Sequence, residues 1–462
     1  MGGPQYHLSR SVWSAPSLLA LSFAALPSAA DQPLSFTNDV APIFAQKCLT
    51  CHGPEKNKGG YRLHTFEFLL KPGSSKEPPI TPGKPEASKV FQLITATDED
   101  DRMPQKNEPL SAEQIARIRQ WIAEGAKFDG PDAKASLTEI IPPIPQPDPP
   151  AAYARPAPIT ALAFSPDGAE LAASGYHEIT IWNAKSGELL RRIRNVAQRT
   201  LCLAYQPDGT FLAAAAGTPG RVGEVKLFDS KSGALVKVIA TTADAMLAVT
   251  FSPDGSKLAA GGSDNSIRIF DAATGKLERV IEQHADWVTS LAFSHSGALL
   301  ASASRDKSAR LFDTQTGEME HSYLGHGDYV FGVAFSIDDK RVFSCGRDRK
   351  VHVWGTGESK RDKAGEISGF EGDVLKVIVT SNAVFTCSAD GSARQHSTGK
   401  GLELVRTFAG HGDVVYTLAF DEKTHRLATG SFDGKVRLWN TEDGELVLAF
   451  TAAPGLLTAN GR

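Results

Sequence analysis

Three residues within five positions could do chemistry together: Cys48, Cys51 and His52, in the stretch CLTCHG. Two thiols three positions apart on one helical turn can each add to a vinyl group on the same porphyrin edge. The next residue then points its imidazole at the iron. C-x-x-C-H is the spacing of c-type haem attachment. A structural zinc site would require further Cys or His ligands at recognisable spacing, and only His64 stands nearby. A thioredoxin-like dithiol would need a βαβ context, which residues 31–130 lack. The pattern therefore predicts one haem c per chain.

A haem iron in an electron-carrying site needs a sixth ligand, and methionine opposite histidine raises the potential. Met103 is the only methionine between residues 31 and 150. It sits in the polar loop TDEDDRMPQKNE, followed by Pro104, which stiffens the backbone. Met103 is the expected distal ligand, and His64 reads as a surface histidine near a turn. The acidic run Asp98 to Asp101 beside it is a solvated loop that could steer a basic partner.

The elements that must position these groups are helical. In TNDVAPIFAQKCLTCH, Val40, Ile43, Phe44 and Cys48 recur at helical spacing. In SAEQIARIRQWIAEGA, Ser111 and Gln114 form a capping box, and Ile115, Ile118, Trp121 and Ile122 make one apolar face. Gly59–Gly60 marks a turn between them. An N-terminal and a C-terminal helix crossing beside a haem is the expected arrangement.

On FTNDVAPIFAQKCLTCHG, KGGYRLHT and RMPQ…LSAEQIARIRQWIAEGA, residues 36–128 resemble the planctomycete-type cytochrome c domain. The resemblance implies a small all-α, class I-like cytochrome c fold. It also implies haem on Cys48 and Cys51, with His52 proximal and Met103 distal.

The chain around this region sets its context. Residues 1–30 carry His7 and Arg10, then the apolar run APSLLALSFAAL, then small residues Ser28 and Ala30 before Asp31, a secretory signal pattern. The apolar run is shorter than the ~20 residues of a membrane-spanning helix. The mature chain is thus expected to be exported, periplasmic or otherwise, without a transmembrane segment. A retained N-terminal anchor is the alternative. Of five cysteines, Cys202, Cys345 and Cys387 lie singly in apolar strand-like runs and read as small core residues. The formal net charge of −4 argues against a nucleic-acid partner.

Eight prolines fall between Pro142 and Pro158. Such a stretch favours extended polyproline II, and 17 residues at about 3.1 Å each could reach roughly 50 Å. Residues 136–158 are therefore expected as a semi-rigid linker after a haem domain at 31–135.

From residue 159 the chain repeats itself. ALAFSPDGAELAASG returns as CLAYQPDGTFLAAAA, AVTFSPDGSKLAAGG, SLAFSHSGALLASAS, GVAFSIDDKRVFSCG, a degenerate KVIVTSNAVFTCSAD and TLAFDEKTHRLATGS. The position of Pro166 recurs at intervals of 41, 46, 42 and 42 residues, then after 85, about two periods. A period near 40–45 with short alternating strands is the signature of a β-propeller. Over residues 159–450 the repeats resemble the WD40 family, which implies an all-β, seven-bladed propeller, with 451–462 as a tail. The Gly-His element stands at Gly325–His326 and Gly410–His411, partially at Gln283–His284. The Trp-Asp element survives as Trp182–Asn183, Phe228–Asp229, Phe270–Asp271, Phe312–Asp313, Trp354–Gly355 and Trp439–Asn440. Turn aspartates are Asp264, Asp306, Asp348, Asp390 and Asp433. By resemblance His326 with Asp348 and Trp354, and His411 with Asp433 and Trp439, are staples within a blade and not catalytic groups. The sixth unit lacks its Gly-His and Trp, so it is expected to be the least rigid.

One face of such a disc commonly binds a macromolecule. Trp287, Arg305, Tyr329, Arg347, Tyr416 and Phe432 are the residues expected there, aromatic and Arg being the usual hot-spot types. The expected function is an exported haem protein, not an enzyme. Its His52/Met103 iron serves a redox partner protein, and its propeller binds a protein partner. Two alternatives stand beside it: an enzyme with a second cofactor or substrate site on the propeller, and a haem-based sensor in which a gas displaces Met103.

Overall fold

The computed structural model describes residues 34–49, 51–54, 57–105, 109–142, 145–357 and 363–456. The expected signal segment 1–30 and the end of the C-terminal tail lie outside these residues. The chain divides into two compact units, Met1–Pro142 and Pro143–Arg462.

The described part of the first unit carries a few short helices joined by turns. A π-helical turn, Phe36–Val40, runs into α1, Ala41–Lys47, with Cys48 at its C-terminal end. Short helices α2, Phe66–Leu69, and α3, Lys89–Ile94, precede α4, Ala112–Ala123, and α5, Leu137–Ile140. The capping box of α4 forms: the Gln114 N–H donates to Ser111 Oγ at 3.2 Å, and the Ser111 N–H donates to Gln114 Oε1 at 3.0 Å. Ile118, Trp121 and Ile122 of α4 are buried against Phe36, Val40, Ile43 and Phe44. Fully burying such side chains stabilises by about 1.5–3 kcal/mol each. The Phe36 ring lies 5.1 Å from Trp121 and 4.8 Å from Phe66, the second pair edge to face.

The second unit is a ring of seven four-stranded antiparallel sheets, each built from consecutive strands. Blades 1 to 7 span 162–193, 199–242, 246–281, 288–323, 330–367, 374–408 and 415–451. Each sheet needs both faces covered, and stacking blade on blade does this. The outermost strands face water and still expose aliphatic residues, among them Leu189, Leu190, Leu277, Met319, Leu404 and Leu446. The Pro-Asp-Gly turns close the first hairpins. Ser165 Oγ donates to Asp167 at 2.6 Å and accepts the Glu170 N–H at 2.9 Å. Gly168 takes φ +72°, a left-handed conformation that glycine adopts without steric cost.

The ring closes without exchanging a strand. Leu446–Thr451 is the outer strand of blade 7, and among the described residues the segment before residue 159 adds none. Ile159, Leu162 and Trp182 pack with Ala428, Val436 and Leu438 across the closure.

The proline-rich stretch differs from the spacer expected over 136–158. At its start, Leu137 and Ile140 are buried in the core of the first unit. From Gln146 onward it is strapped to the propeller. The Gln146 N–H donates to Asn195 Oδ1 at 3.1 Å, Arg192 donates to the Pro150 carbonyl at 2.6 Å, and Tyr153 Oη donates to Glu178 Oε1 at 2.7 Å. Proline leaves carbonyls without competing N–H groups, and side chains of blade 1 take them up.

The sixth blade has all four strands despite its degenerate sequence. Phe370 stands where blade 5 has His326. Arg394 lies 4.5 Å over its ring and donates to Asp390 at 2.9 Å and to the Gly369 carbonyl at 2.8 Å. A cation–π contact and an ion pair replace the histidine staple there.

Candidate functional site

The end of α1 turns sharply at the C-x-x-C-H stretch. The N–H groups of Cys51 and His52 both reach the Cys48 carbonyl, at 3.2 and 3.0 Å. That single carbonyl gathers the two thiol-bearing residues and the imidazole onto one turn. Cys48 and Cys51 are not joined in a disulfide. Cys48 packs against the apolar core of the unit. Burial, with the Cys51 thiol beside it, pushes its pKa up to about 12, against the opposing pull of Lys47. It is held as a neutral thiol.

His52 is pinned from behind. Its Nδ1 lies 3.3 Å from the Tyr61 carbonyl oxygen, and its own carbonyl accepts the Leu63 N–H at 2.9 Å. The turn that brings Tyr61 back is Lys58–Gly60, where Gly59 and Gly60 take φ +63° and +66°. Two successive left-handed residues explain the Gly-Gly pair. The Tyr61 hydroxyl donates to the Leu69 carbonyl at 2.8 Å and ties this turn to α2.

Met103 is half-buried on the loop after α3, and its N–H donates to the Leu93 carbonyl at 3.0 Å. The Met103–Pro104 peptide is cis. Asp98 to Asp101 are exposed on the same loop. His64 stacks on Phe68 at 4.7 Å, and burial, then Arg62, lower its pKa.

In the propeller, the side chains of His284, His326 and His411 are buried and each meets an aspartate. His326 Nδ1 lies 2.8 Å from Asp348 Oδ2, its Nε2 lies 2.7 Å from Ser344 Oγ, and Trp354 Nε1 donates to the same oxygen at 3.1 Å. His411, Asp433, Thr429 and Trp439 repeat the set in blade 7. Sequence reasoning treated Gln283–His284 as partial, yet His284 makes the full contacts: 2.8 Å to Asp306 and 2.7 Å to Ser302. The signal was the spacing, since His284 precedes its aspartate by 22 residues, as do His326 and His411. Blade 2 substitutes a buried ion pair, Lys226 to Glu224 at 2.9 Å. Cys345 and Cys387 are buried as expected, whereas Cys202 is half-buried.

Four of the six residues expected on the propeller face form one ladder. The Arg305 guanidinium lies 4.1 Å from the Trp287 ring and 4.8 Å from the Tyr329 ring, and the Arg347 guanidinium lies 5.4 Å from the Tyr329 ring. Tyr416 and Phe432 make a second pair at 6.2 Å on blade 7. Trp287 is 37% and Phe432 49% exposed, so these rings are not absorbed into the core. Tyr176, 43% exposed, lies on the turn after the second strand of blade 1 and was missed. Gly175 holds the place directly after the second strand that Arg305, Arg347 and Phe432 hold in their blades, and Tyr176 stands one residue further on, so that position gave no signal for it.

Residues 48–107 match the family model for planctomycete cytochrome C. Residues 153–183, 233–271, 275–313, 317–355 and 402–440 match that for the WD domain, G-beta repeat. Among curated proteins, an 80-residue stretch is 38% identical to a guanine nucleotide-binding protein subunit beta of Arabidopsis thaliana. That alignment covers 17% of this chain and 21% of the relative, so the chain matches about a fifth of that protein's length. Among the described residues no helix is long and apolar enough to cross a membrane.

Proposed function

We propose that this chain, in which a planctomycete cytochrome C segment is joined to a WD40 propeller, is an exported electron-transfer protein carrying one haem c. Its first unit is a small all-α, class I-like cytochrome domain. Its propeller docks on a protein partner. The observation that carries this reading is the Cys48–His52 turn, with two unpaired thiols and an imidazole whose Nδ1 already faces the Tyr61 carbonyl.

The residues present fit the group. With Nδ1–H donating to Tyr61, His52 keeps the lone pair of Nε2 for a metal, the outer-shell arrangement common to histidine ligands. Cys48 and Cys51 would tether the porphyrin through thioethers, and His52 and Met103 would be the iron's protein ligands. When bound, haem iron supplies one-electron redox chemistry tuned by its axial ligands. The half-buried Met103 loop, fixed at Leu93, holds the thioether in place. The exposed Asp98–Asp101 run favours approach of a basic redox partner.

The Trp287–Arg305–Tyr329–Arg347 ladder is the proposed contact for the propeller's partner, because rigid aromatic and Arg groups bind at low entropic cost. The matched relative is named as a subunit, which supports a binding role for this chain. We assign no catalytic residue. The 1–30 signal pattern supports export, to the periplasm or beyond.

The test is production with a cytochrome-assembly system. The expected product is coloured, gives a c-type pyridine haemochrome, and is heavier by one haem. The Cys48→Ser/Cys51→Ser chain should be colourless. Wild-type chain of unmodified mass without visible absorption would overturn the reading.

A further inference from the structure

In four blades the turn aspartate is followed four residues later by an arginine that pairs with it. Arg268 lies 2.6 Å from Asp264, Arg310 3.2 Å from Asp306, Arg394 2.9 Å from Asp390, and Arg437 3.3 Å from Asp433. Blade 5 alone among these has a histidine there. His352 Nε2 lies 3.2 Å from Asp348 Oδ2, close in distance but without the alignment of a hydrogen bond.

Blade 5 therefore brings two imidazoles and a carboxylate together, with a histidine at the place where the other four blades have the arginine. His326 Nδ1, Asp348 and His352 Nε2 all lie within 4.8 Å of one another, and among the described residues they are the one such group of potential metal ligands. Both histidines are buried. Their far nitrogens are already engaged: His326 Nε2 at 2.7 Å from Ser344 Oγ, and His352 Nδ1 at 2.9 Å from Tyr323 Oη. Hydrogen bonds at the far nitrogen orient a metal-binding histidine; the near nitrogen of His326 meets Asp348 Oδ2 at 2.8 Å, a contact that a bound ion would replace.

The carboxylate also departs from its counterparts. In blades 4, 6 and 7 the second oxygen accepts an N–H two residues on, from Ser308 at 3.0 Å, Ser392 at 3.0 Å and Lys435 at 2.8 Å. Asp348 Oδ1 is buried and accepts none. Two atoms without a hydrogen bond, Asp348 Oδ1 and His352 Nε2, thus belong to one site whose side chains are each 12% or less exposed, with Asp348 Oδ2 the oxygen near both imidazoles. A buried polar atom without a partner costs about 1–3 kcal/mol.

We propose that His326, Asp348 and His352 form a binding site for one divalent transition-metal ion of the zinc class. The donor set, two imidazoles and a carboxylate, is one that zinc accepts at about 2.0–2.2 Å. Tetrahedral ligands at those lengths stand about 3.3 Å apart, against 2.8 and 3.2 Å for the two pairs here. The ion supplies the positive charge that arginine supplies in the other blades. Ser344 and Tyr323 are positioning residues behind the ligands.

The test uses the full chain with Cys48→Ser/Cys51→Ser, which removes the competing thiols. It is incubated with zinc sulfate, desalted and assayed for bound metal. One zinc per chain is expected, with a rise in melting temperature on adding the ion. In the same background His352→Arg, which restores the pairing of the other blades, should fold and retain no zinc. Tyr323→Phe should weaken zinc affinity tenfold or more by calorimetry. Absence of stoichiometric zinc, or one zinc retained by His352→Arg, overturns the proposal; so does unchanged affinity in Tyr323→Phe should His352→Arg fail to fold.

Discussion

His411 Nδ1 lies 3.3 Å from Asp433 Oδ2, and the Arg437 guanidinium donates to the same nitrogen at 2.6 Å. Blade 7 thus keeps its histidine neutral and accepting at Nδ1. The Nε2–H donates to Thr429.

This geometry makes blade 7 acid-sensitive. Burial, then Arg437, lower the His411 pKa from 6.5 to about 4. The unfolded chain therefore binds the proton first as pH falls. The contribution of His411 to stability is complete above pH 6.5 and is lost as pH drops toward 4. His396 in blade 6 shifts the same way, through burial and then Arg394. Asp433, held below its ordinary range, adds a loss in the same direction at lower pH. Urea midpoints measured between pH 7.5 and 4 should fall. His411→Asn should flatten the slope, and a slope unchanged by that variant would refute the assignment.

The buried pair in blade 2 should be costly to break. Glu224 Oε1 accepts the Ala197 N–H at 2.6 Å, Glu224 Oε2 pairs with Lys226, and Lys226 donates to the Asn195 carbonyl at 2.7 Å. Removing one partner leaves an uncompensated charge in the interior. Glu224→Ala should destabilise the propeller by about 3–5 kcal/mol, read as a shift in denaturant midpoint. A loss below 1 kcal/mol would show that water reaches Lys226.

Gly434 and Gly220 offer a paired test of the strap. Both have positive φ, +72° and +65°. A Cβ on Gly434 would collide with Pro156, whereas one on Gly220 meets nothing within 4 Å. Backbone strain alone costs about 1–3 kcal/mol. Gly434→Ala should therefore lower the melting temperature more than Gly220→Ala. Equal losses would mean that the proline segment does not hold the closure.

Met103→Ala separates ligation from attachment. The haem should stay covalently bound through Cys48 and Cys51, while the ferrous protein gains rapid carbon monoxide binding. Wild-type protein should bind it slowly or not at all. Rapid binding by the wild type would favour the sensor reading instead.

Much of this was legible from local pattern. The capping box of α4, the apolar faces around Trp121, the Pro-Asp-Gly turns and the blade period are local signals, each encoded by residues a few positions apart. Blade 2 and blade 6 were harder. Much of their sequence, residues 184–232 and 356–401, falls outside the segments matched by the repeat family. They are blades nonetheless, because a propeller blade is held by burial against its neighbours and tolerates loss of its staple. Arg394 over Phe370 and Lys226 with Glu224 are different chemical answers to the same packing demand.

The sequence alone determined the covalent chemistry available at Cys48, Cys51 and His52, because that chemistry depends on spacing within one turn. It also determined the repeat, because strand alternation and turn residues act locally. Only the tertiary structure decided the rest: that the proline segment is bound rather than free, that the ring closes without a shared strand, and that His352 meets His326 across Asp348. Those outcomes depend on which carbonyls, charges and rings meet after the chain has turned back on itself, and contacts over that distance leave no periodic trace.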